Sequence, residues 1–285
     1  DIISSLSTYF IGAQIVEDPA IVILIVLGLA SFLLIIAFTI TQSFERLAET
    51  NIMKSEFLNI VSHQLRSPLA NLKWAIEFLT SEKIQRTKEK EEEYIEIIKE
   101  NSERMLELIN ELLMVSKIEQ GDFPIEKKEV FFDSLLEETV KEFEPILQAH
   151  KIKDELEISF EPSDKPMVIF SDSSKLRLVL ENFLDNAISY TICQENNGRI
   201  KILVEKKPNS LYFQIEDNGV GIPQNDQKYI FQKFFRAQNV LKYQTQGSGL
   251  GLFICKSIIE KLGGKIGFKS REGEGTTFWF VLPIK

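Results

Sequence analysis

The chain has 285 residues, with 33 Lys and Arg against 42 Asp and Glu, a formal charge of −9. That length suits two domains of roughly 100–200 residues each. A content of 44% apolar and 26% charged residues excludes wholesale disorder, and the acidic balance argues against a nucleic-acid partner, which needs a basic face. Two cysteines, Cys193 and Cys255, are too few for a disulfide framework or a zinc site and read as reduced, packed thiols. Two histidines, His63 and His150, exclude a His-rich metal centre, and His150 reads as structural.

From Pro19 to Phe44 no residue is charged. Residues 20–40 read AIVILIVLGLASFLLIIAFTI. As a helix those 21 residues span roughly 31 Å, the thickness of a hydrocarbon core. A buried globular helix would show a polar face, and a signal peptide would carry basic residues where Glu17 and Asp18 stand. A transmembrane helix over 20–41 is expected, with a short extracytoplasmic segment at 1–19. Arg46 and Lys54 follow the span and none precedes it, which assigns the C-terminal part to the cytoplasm and the protein to the cytoplasmic membrane. The first residue is Asp rather than Met, which reads as a processed or shortened N-terminus.

A signalling linker helix is expected over 42–56, followed by a helical hairpin over 57–120. Leu58, Val61, Leu65, Leu69, Leu72, Ile76 and Leu79 recur at spacings of three and four, giving one apolar stripe. Glu82 to Lys90 is a polar break. Tyr94, Ile98, Met105, Leu108, Leu112 and Val115 form a second stripe, widened by Ile95, Leu106, Ile109 and Leu113, and Gly121 is a stop signal. Faces this wide exceed what one partner helix covers. Two chains forming a four-helix bundle would cover them, so a homodimer is expected. His63 falls off the stripe, Ser67 follows on the same face, and Pro68 removes a backbone donor and bends the helix. An exposed imidazole at a bend suits a nucleophile that other domains must reach.

The run Phe57-Leu58-Asn59-Ile60-Val61-Ser62-His63-Gln64-Leu65-Arg66-Ser67-Pro68-Leu69 resembles the phospho-acceptor box of two-component sensor histidine kinases. The resemblance implies that His63 takes the γ-phosphoryl group of ATP and passes it to an Asp on the receiver domain of a response regulator.

Alternating strands and helices occupy residues 124–285. Strands are expected from the alternations at 156–160, 200–204 and 211–215, and near 265–270 and 276–282; helices are expected near 133–149, 173–190 and 249–262. Four stretches carry chemistry. Asn182 and Asn186 stand one helical turn apart and offer hard amide oxygens suited to Mg2+, or are plain polar surface. Asp217-Asn218-Gly219-Val220-Gly221 ends a strand: its carboxylate can accept a hydrogen bond from an exocyclic amine and its glycines allow close ligand approach, or it is a simple turn. Gly247-Ser248-Gly249-Leu250-Gly251-Leu252 opens a helix and favours phosphate, but is neither a dinucleotide fingerprint nor a P-loop. Gly273-Glu274-Gly275-Thr276-Thr277-Phe278 is a tight turn into the last strand, a ligand element or a plain hairpin.

In this order, and with Phe231-Gln232-Lys233-Phe234-Phe235-Arg236 between the second and third, these stretches resemble the N, G1, F, G2 and G3 boxes of the histidine-kinase ATPase domain. The implied fold class is α plus α/β: one transmembrane helix, a two-helix hairpin forming a dimeric four-helix bundle, and a C-terminal α/β sandwich of the GHKL (Bergerat) ATPase type over 124–285. The cofactors implied are ATP and Mg2+. By resemblance, Asp217 meets the adenine amino group, with Gly219 and Gly221 beside the base. Tyr190 packs near adenine and ribose, and Asn186 with Asn182 holds Mg2+. Arg236 reaches the γ-phosphate from a lid at about 222–246. Gly247, Gly249, Leu250 and Gly251 cradle phosphates, and Thr276 completes the ATP site. The catalytic set is His63, Gln64 and Ser67.

Three positions depart from the family pattern. Gln64 stands where Glu or Asp is usual; its carbonyl can accept the imidazole Nδ1 hydrogen bond but cannot take the proton, so a slower autokinase is expected. Ser67 replaces Thr or Asn at a position proposed to orient water for dephosphorylating the partner. Ser189 stands where a basic residue often touches phosphate. A membrane-bound protein-histidine kinase is the reading. A protein acting mainly as a phosphatase of the regulator, or a nucleotide-binding pseudokinase scaffold, remain as alternatives.

Overall fold

The computed structural model describes residues 19–81, 87–149, 156–161, 166–192, 198–237, 239 and 247–284; the side chains at 19–20, 22, 25–26, 40, 43–59, 63 and 156–161 are not among those described. Two compact units result, Asp1–His63 and Gln64–Lys285.

Helix α1 runs from Pro19 to Thr80. It includes the uncharged stretch read as membrane-spanning, where Leu24, Leu34 and Phe38 are 71%, 70% and 65% exposed. Among the described residues no helix is long and apolar enough to cross a membrane; several side chains of this very stretch lie outside them. In a globular fold, so many exposed aliphatic groups are costly at about 1.5–3 kcal/mol for each large side chain left in water. Serine and threonine hydroxyls here bond back to the carbonyl four residues earlier, Ser31 to Leu27 at 2.8 Å and Thr39 to Ile35 at 2.7 Å. No polar side chain then needs water.

The helical span continues through Pro68 without a break. Pro68 is buried and lines the cleft described below. The second helix of the hairpin, α2, is Lys88–Glu119, with Thr87 as N-cap accepting from the Lys90 amide at 3.4 Å. The seam between α1 and α2 is narrower than the periodicity suggested. Ala75, Leu108 and Val115 are buried, and Phe78 stacks on Tyr94 at 3.9 Å between centroids. Asn71 Nδ2 donates to Asn101 Oδ1 at 3.2 Å, a part-buried polar bridge across the seam. By contrast Leu69, Ile95, Leu106 and Leu113 are 57%, 56%, 61% and 56% exposed. They share the helices with the seam but not its face.

Gly121, at φ 76, ends the hairpin, and the C-terminal domain follows. Its elements are β1 (Lys128–Phe131), α3 (Phe132–Glu142), α4 (Glu144–Ala149), β2 (Leu156–Glu161), β3 (Val168–Ser171) and α5 (Ser173–Ile192). Then come β4 (Ile200–Lys207), β5 (Ser210–Asp217), a 3-10 turn (Gln227–Tyr229), α6 (Gly251–Lys261), β6 (Lys265–Arg271) and β7 (Gly275–Pro283). The helix expected over 133–149 is split at Phe143, because Pro145 lacks the amide that would continue the ladder. The helix expected from 249 begins only at Gly251, since Gly249 is held at φ 71. The strands β1 and β3 were not expected; they are short and pair antiparallel with each other.

The main sheet has the order β2-β4-β5-β7-β6, with β2 parallel to β4 and the other neighbours antiparallel. Helices cover one face, and the interface is aromatic: Phe132, Phe183, Phe213 and Phe280 are 0% exposed. Phe213 stacks on Phe280 at 4.9 Å, with Phe183 over both. Cys255 is buried within the same core, where desolvation pushes its thiol well above the ordinary range. The other cysteine, Cys193, and His150 lie outside the described residues.

Candidate functional site

The core holds α5 flat on the sheet, and this places Asn182 and Asn186 on its free side. Each amide nitrogen is used by the helix itself: Asn182 Nδ2 donates to Leu178 O at 3.1 Å and Asn186 Nδ2 to Asn182 O at 2.7 Å. The carbonyl oxygens are thus the ends left for other partners. The Asn182 oxygen lies against the start of α6, so close that a Cβ on Gly251 would sit 1.9 Å from it. Asn186 is the better placed of the two to meet a cation. Among the described residues no cluster of three His, Cys, Asp or Glu side chains could hold a metal, so an amide oxygen with phosphate oxygens is the donor set available.

Asp217 closes β5 and is 5% exposed. Its Oδ1 accepts from Gly219 N at 2.9 Å and Thr276 N at 3.2 Å. Burial pushes its carboxyl up to about 7, against the lowering effect of those two donors. Glycine is required around it. At Gly221, φ is +62 and a Cβ would fall 2.0 Å from the Arg271 carbonyl oxygen; at Gly219 a Cβ would fall 2.6 Å from the Tyr190 carbonyl oxygen. The backbone of Val220 donates to that same Tyr190 oxygen at 3.3 Å. Helix α5 and the Asp217 loop are thereby locked together.

The loop before α6 is shaped the same way. Gly247 is at φ +123 with the Arg236 guanidinium carbon 3.6 Å from where its Cβ would be. Gly249 accepts from Phe234 N at 2.8 Å, and Phe234 itself takes a left-handed φ of 62, a strained value for an aromatic residue. Leu250 is 0% exposed and its amide donates to Ser248 Oγ at 3.0 Å. Residues 238 and 240–246 of the expected lid lie outside the described residues.

These pieces meet in a cleft of about 1650 Å³ between α2, α5 and the α6 loop. Gln64, Asn182, Asn186, Tyr190, Gly221, Arg236, Gly247, Gly249, Gly251 and Thr276 all line it. Asp217, Gly219 and Leu250 are buried and do not line it, and Ser67 is exposed outside it. The His63 side chain is not among those described; its backbone belongs to α1. Gln64 Nε2 donates to Gly247 O at 3.4 Å, a long bond that carries the hairpin to the glycine loop.

Sequence reasoning missed the second helix's share in this cleft. Glu111 hydrogen-bonds Ser248, yet burial is the larger effect and pushes its carboxyl up to about 7, with Glu107 and Asp185 adding like charge. Outside the cleft, Glu119 at the end of the same helix pairs with Lys233. Nothing in the heptad-like spacing of α2 marks these polar residues, because their partners are more than a hundred residues away.

Two family models match. The Histidine kinase-, DNA gyrase B-, and HSP90-like ATPase covers residues 171–285, and the His Kinase A (phospho-acceptor) domain covers residues 53–121. The chain belongs to the two-component sensor histidine kinases. Its two matched domains are those of an ATP-dependent histidine kinase, and the candidate site residues that line the cleft fall within the spans that they cover. The signal transduction histidine-protein kinase BarA of Escherichia coli (strain K12) is 34% identical over 247 residues, 84% of this chain and 26% of BarA. This chain spans 26–30% of the length of the first curated relatives it matches. The crystal structure of histidine kinase ThkA in complex with response regulator protein TrrA is 27% identical with a TM-score of 0.62, covering 81% of this chain and 61% of that one. Full-length ShkA in complex with AMPPNP is 25% identical with a TM-score of 0.58, covering 80% and 46%.

Proposed function

We propose that this kinase binds Mg-ATP in the cleft, phosphorylates its own His63, and hands the phosphoryl group to an Asp of a response-regulator receiver domain. The reading is carried by one observation: Asn186, Thr276 and the glycines Gly221, Gly247, Gly249 and Gly251 line one cleft, with the buried Asp217 bonded behind it to the Thr276 amide, and a residue of the phospho-acceptor box, Gln64, lines that same cleft. The ThkA–TrrA complex and the AMPPNP-bound ShkA support the partner and the nucleotide.

Mg2+ bound through Asn186 would neutralise phosphate charge and hold the β- and γ-phosphates in place. Asp217 would accept a hydrogen bond from the adenine amine, so only its ionised form serves. Amides of the glycine loop and the N-terminus of α6 would face the phosphates. Arg236 would meet the γ-phosphate. The lone pair of His63 Nε2 then forms the N–P bond while the bond from phosphorus to the bridging oxygen breaks, and ADP leaves with that electron pair. Gln64 would hold the Nδ1 proton by a hydrogen bond without removing it. Positioning and charge neutralisation supply most of the rate.

The apolar stretch 20–41 would anchor the kinase in the cytoplasmic membrane, and the exposed faces of α1 and α2 carrying Leu69, Leu106 and Leu113 would pair between two chains. Incubation with γ-labelled ATP and Mg2+, beside His63→Ala, tests the reaction. Label on the unaltered chain and none on the variant is expected; equal label on both would refute it.

A further inference from the structure

The cleft contains a cation that the family boxes do not supply. Arg104 belongs to α2, the second helix of the hairpin, and lines the cleft together with Arg236, Asn186, Ser189 and Gly247. The register of the hairpin explains why. Phe78 opposes Tyr94 and Asn71 opposes Asn101, so position 104 stands level with Pro68, one turn along from Gln64. Glu111, which bonds Ser248 of the glycine loop, lies seven residues further along α2 and so about two turns away on the same face. That face therefore looks at the phosphate loop, and Arg104 looks with it.

Arg104 is half-buried, and among the described residues it makes no ion pair within 4 Å. Glu107 and Glu100 flank it one turn to either side on the same helix and are both exposed. Burial, and with it the nearby charge of Arg236, lowers its pKa against the pull of Glu107 and Glu100. Burial also lowers that of Arg236. Two guanidinium groups turned into one cleft repel each other and are costly to desolvate unless an anion lies between them. At Ser189, on the opposite wall, the chain has a hydroxyl and no charge.

We infer that Arg104 is a phosphate-binding residue of this kinase, lent by the phosphotransfer hairpin, which grips the terminal phosphate of ATP together with Arg236 and supplies the positive charge absent at Ser189. The inference rests on the nucleotide reading above and assigns it a further residue. Because Arg104 rides on the hairpin and not on the ATPase domain, this grip exists only when α2 lines the cleft. The terminal phosphate then helps to hold the two domains together, and ADP, lacking it, does so less.

The test is the affinity of the full chain for ATP and for ADP, with Mg2+, in the unaltered protein, in Arg104→Gln and in Arg104→Gln combined with Ser189→Lys. A charge-assisted hydrogen bond to phosphate predicts roughly a tenfold loss for ATP in Arg104→Gln and less than about a twofold change for ADP. Ser189→Lys is expected to restore most of the ATP affinity. Binding of ADP serves as the internal check that the variant is folded. Equal losses for both nucleotides would make Arg104 a packing residue and overturn the inference, as would unchanged ATP affinity or a failure of Ser189→Lys to restore it. Absence of ATP binding by the unaltered chain would instead bring down the nucleotide reading and this inference with it.

Discussion

Asp217 is held where an isolated carboxylate is least comfortable. It is 5% exposed, and its pKa is pushed up to about 7 by burial despite two backbone donors. An acid whose folded pKa is raised favours the neutral form in the free protein. The stability this contributes is complete below the ordinary value of 3.8 and is lost as pH rises through about 7. The proposed amine donor from adenine would reverse the preference, because it would bond to the ionised carboxylate. ATP affinity is therefore expected to rise with pH up to about 7 and then level off. Asp217→Asn removes that dependence and weakens binding by roughly 10- to 100-fold, the worth of a hydrogen bond to a charged group. Isothermal titration between the two limits checks both; an affinity flat in pH for the unaltered chain would contradict the assignment. Asp217 was legible in the sequence as a candidate because its glycines follow at fixed offsets. Its burial was not, since that depends on Thr276, which comes from another strand of the sheet.

At the scale of elements, the glycines act as joints between the sheet and its loops. Gly221 is at φ +62, and a Cβ there would lie 2.0 Å from a backbone oxygen that cannot swing aside. A Cβ on Gly273, at φ +78, would meet nothing within 4 Å. Both pay the conformational penalty of an L residue in the left-handed region, about 1 kcal/mol or more, but only Gly221 adds a collision. Gly221→Ala is thus expected to lower the melting temperature several degrees more than Gly273→Ala and to abolish nucleotide binding, whereas Gly273→Ala retains it. Equal melting shifts for the two would show that the close approach to Arg271 is not what demands glycine. Elements with strong periodicity, α2, α5, β4, β5 and β7, were readable from the sequence almost to their ends. The four-residue strands β1 and β3 were not: each is too short for alternation to register, and each is stabilised by the other across roughly forty intervening residues. Pro68 lies inside the span of α1. A proline removes a donor, but a helix buried on that side tolerates the loss without a break in its span.

For the whole molecule, the physical division of labour is between a hairpin that bears the histidine and a domain that binds the nucleotide. The matched relatives are about three times as long as this chain, so further parts of such proteins fall outside the similarity seen here. The apolar faces left exposed on α1 and α2 are the ones proposed to pair between two chains, and light scattering on the detergent-extracted protein is expected to give twice the chain mass; a monomer would overturn that pairing. The two parts are coupled in the cleft through Gln64 with Gly247 and Glu111 with Ser248, and outside it through Glu119 with Lys233. These contacts join residues far apart in sequence, and they form the layer of the site that no motif announces. The central claim is that the γ-phosphoryl of ATP comes to rest on one imidazole nitrogen. Fragment mass spectrometry at neutral pH after exposure to Mg-ATP measures it directly. The phosphoryl group is expected on His63, stable to alkali and lost in acid; its appearance on a serine, threonine or aspartate, or on no residue while ATP remains bound, would contradict the account.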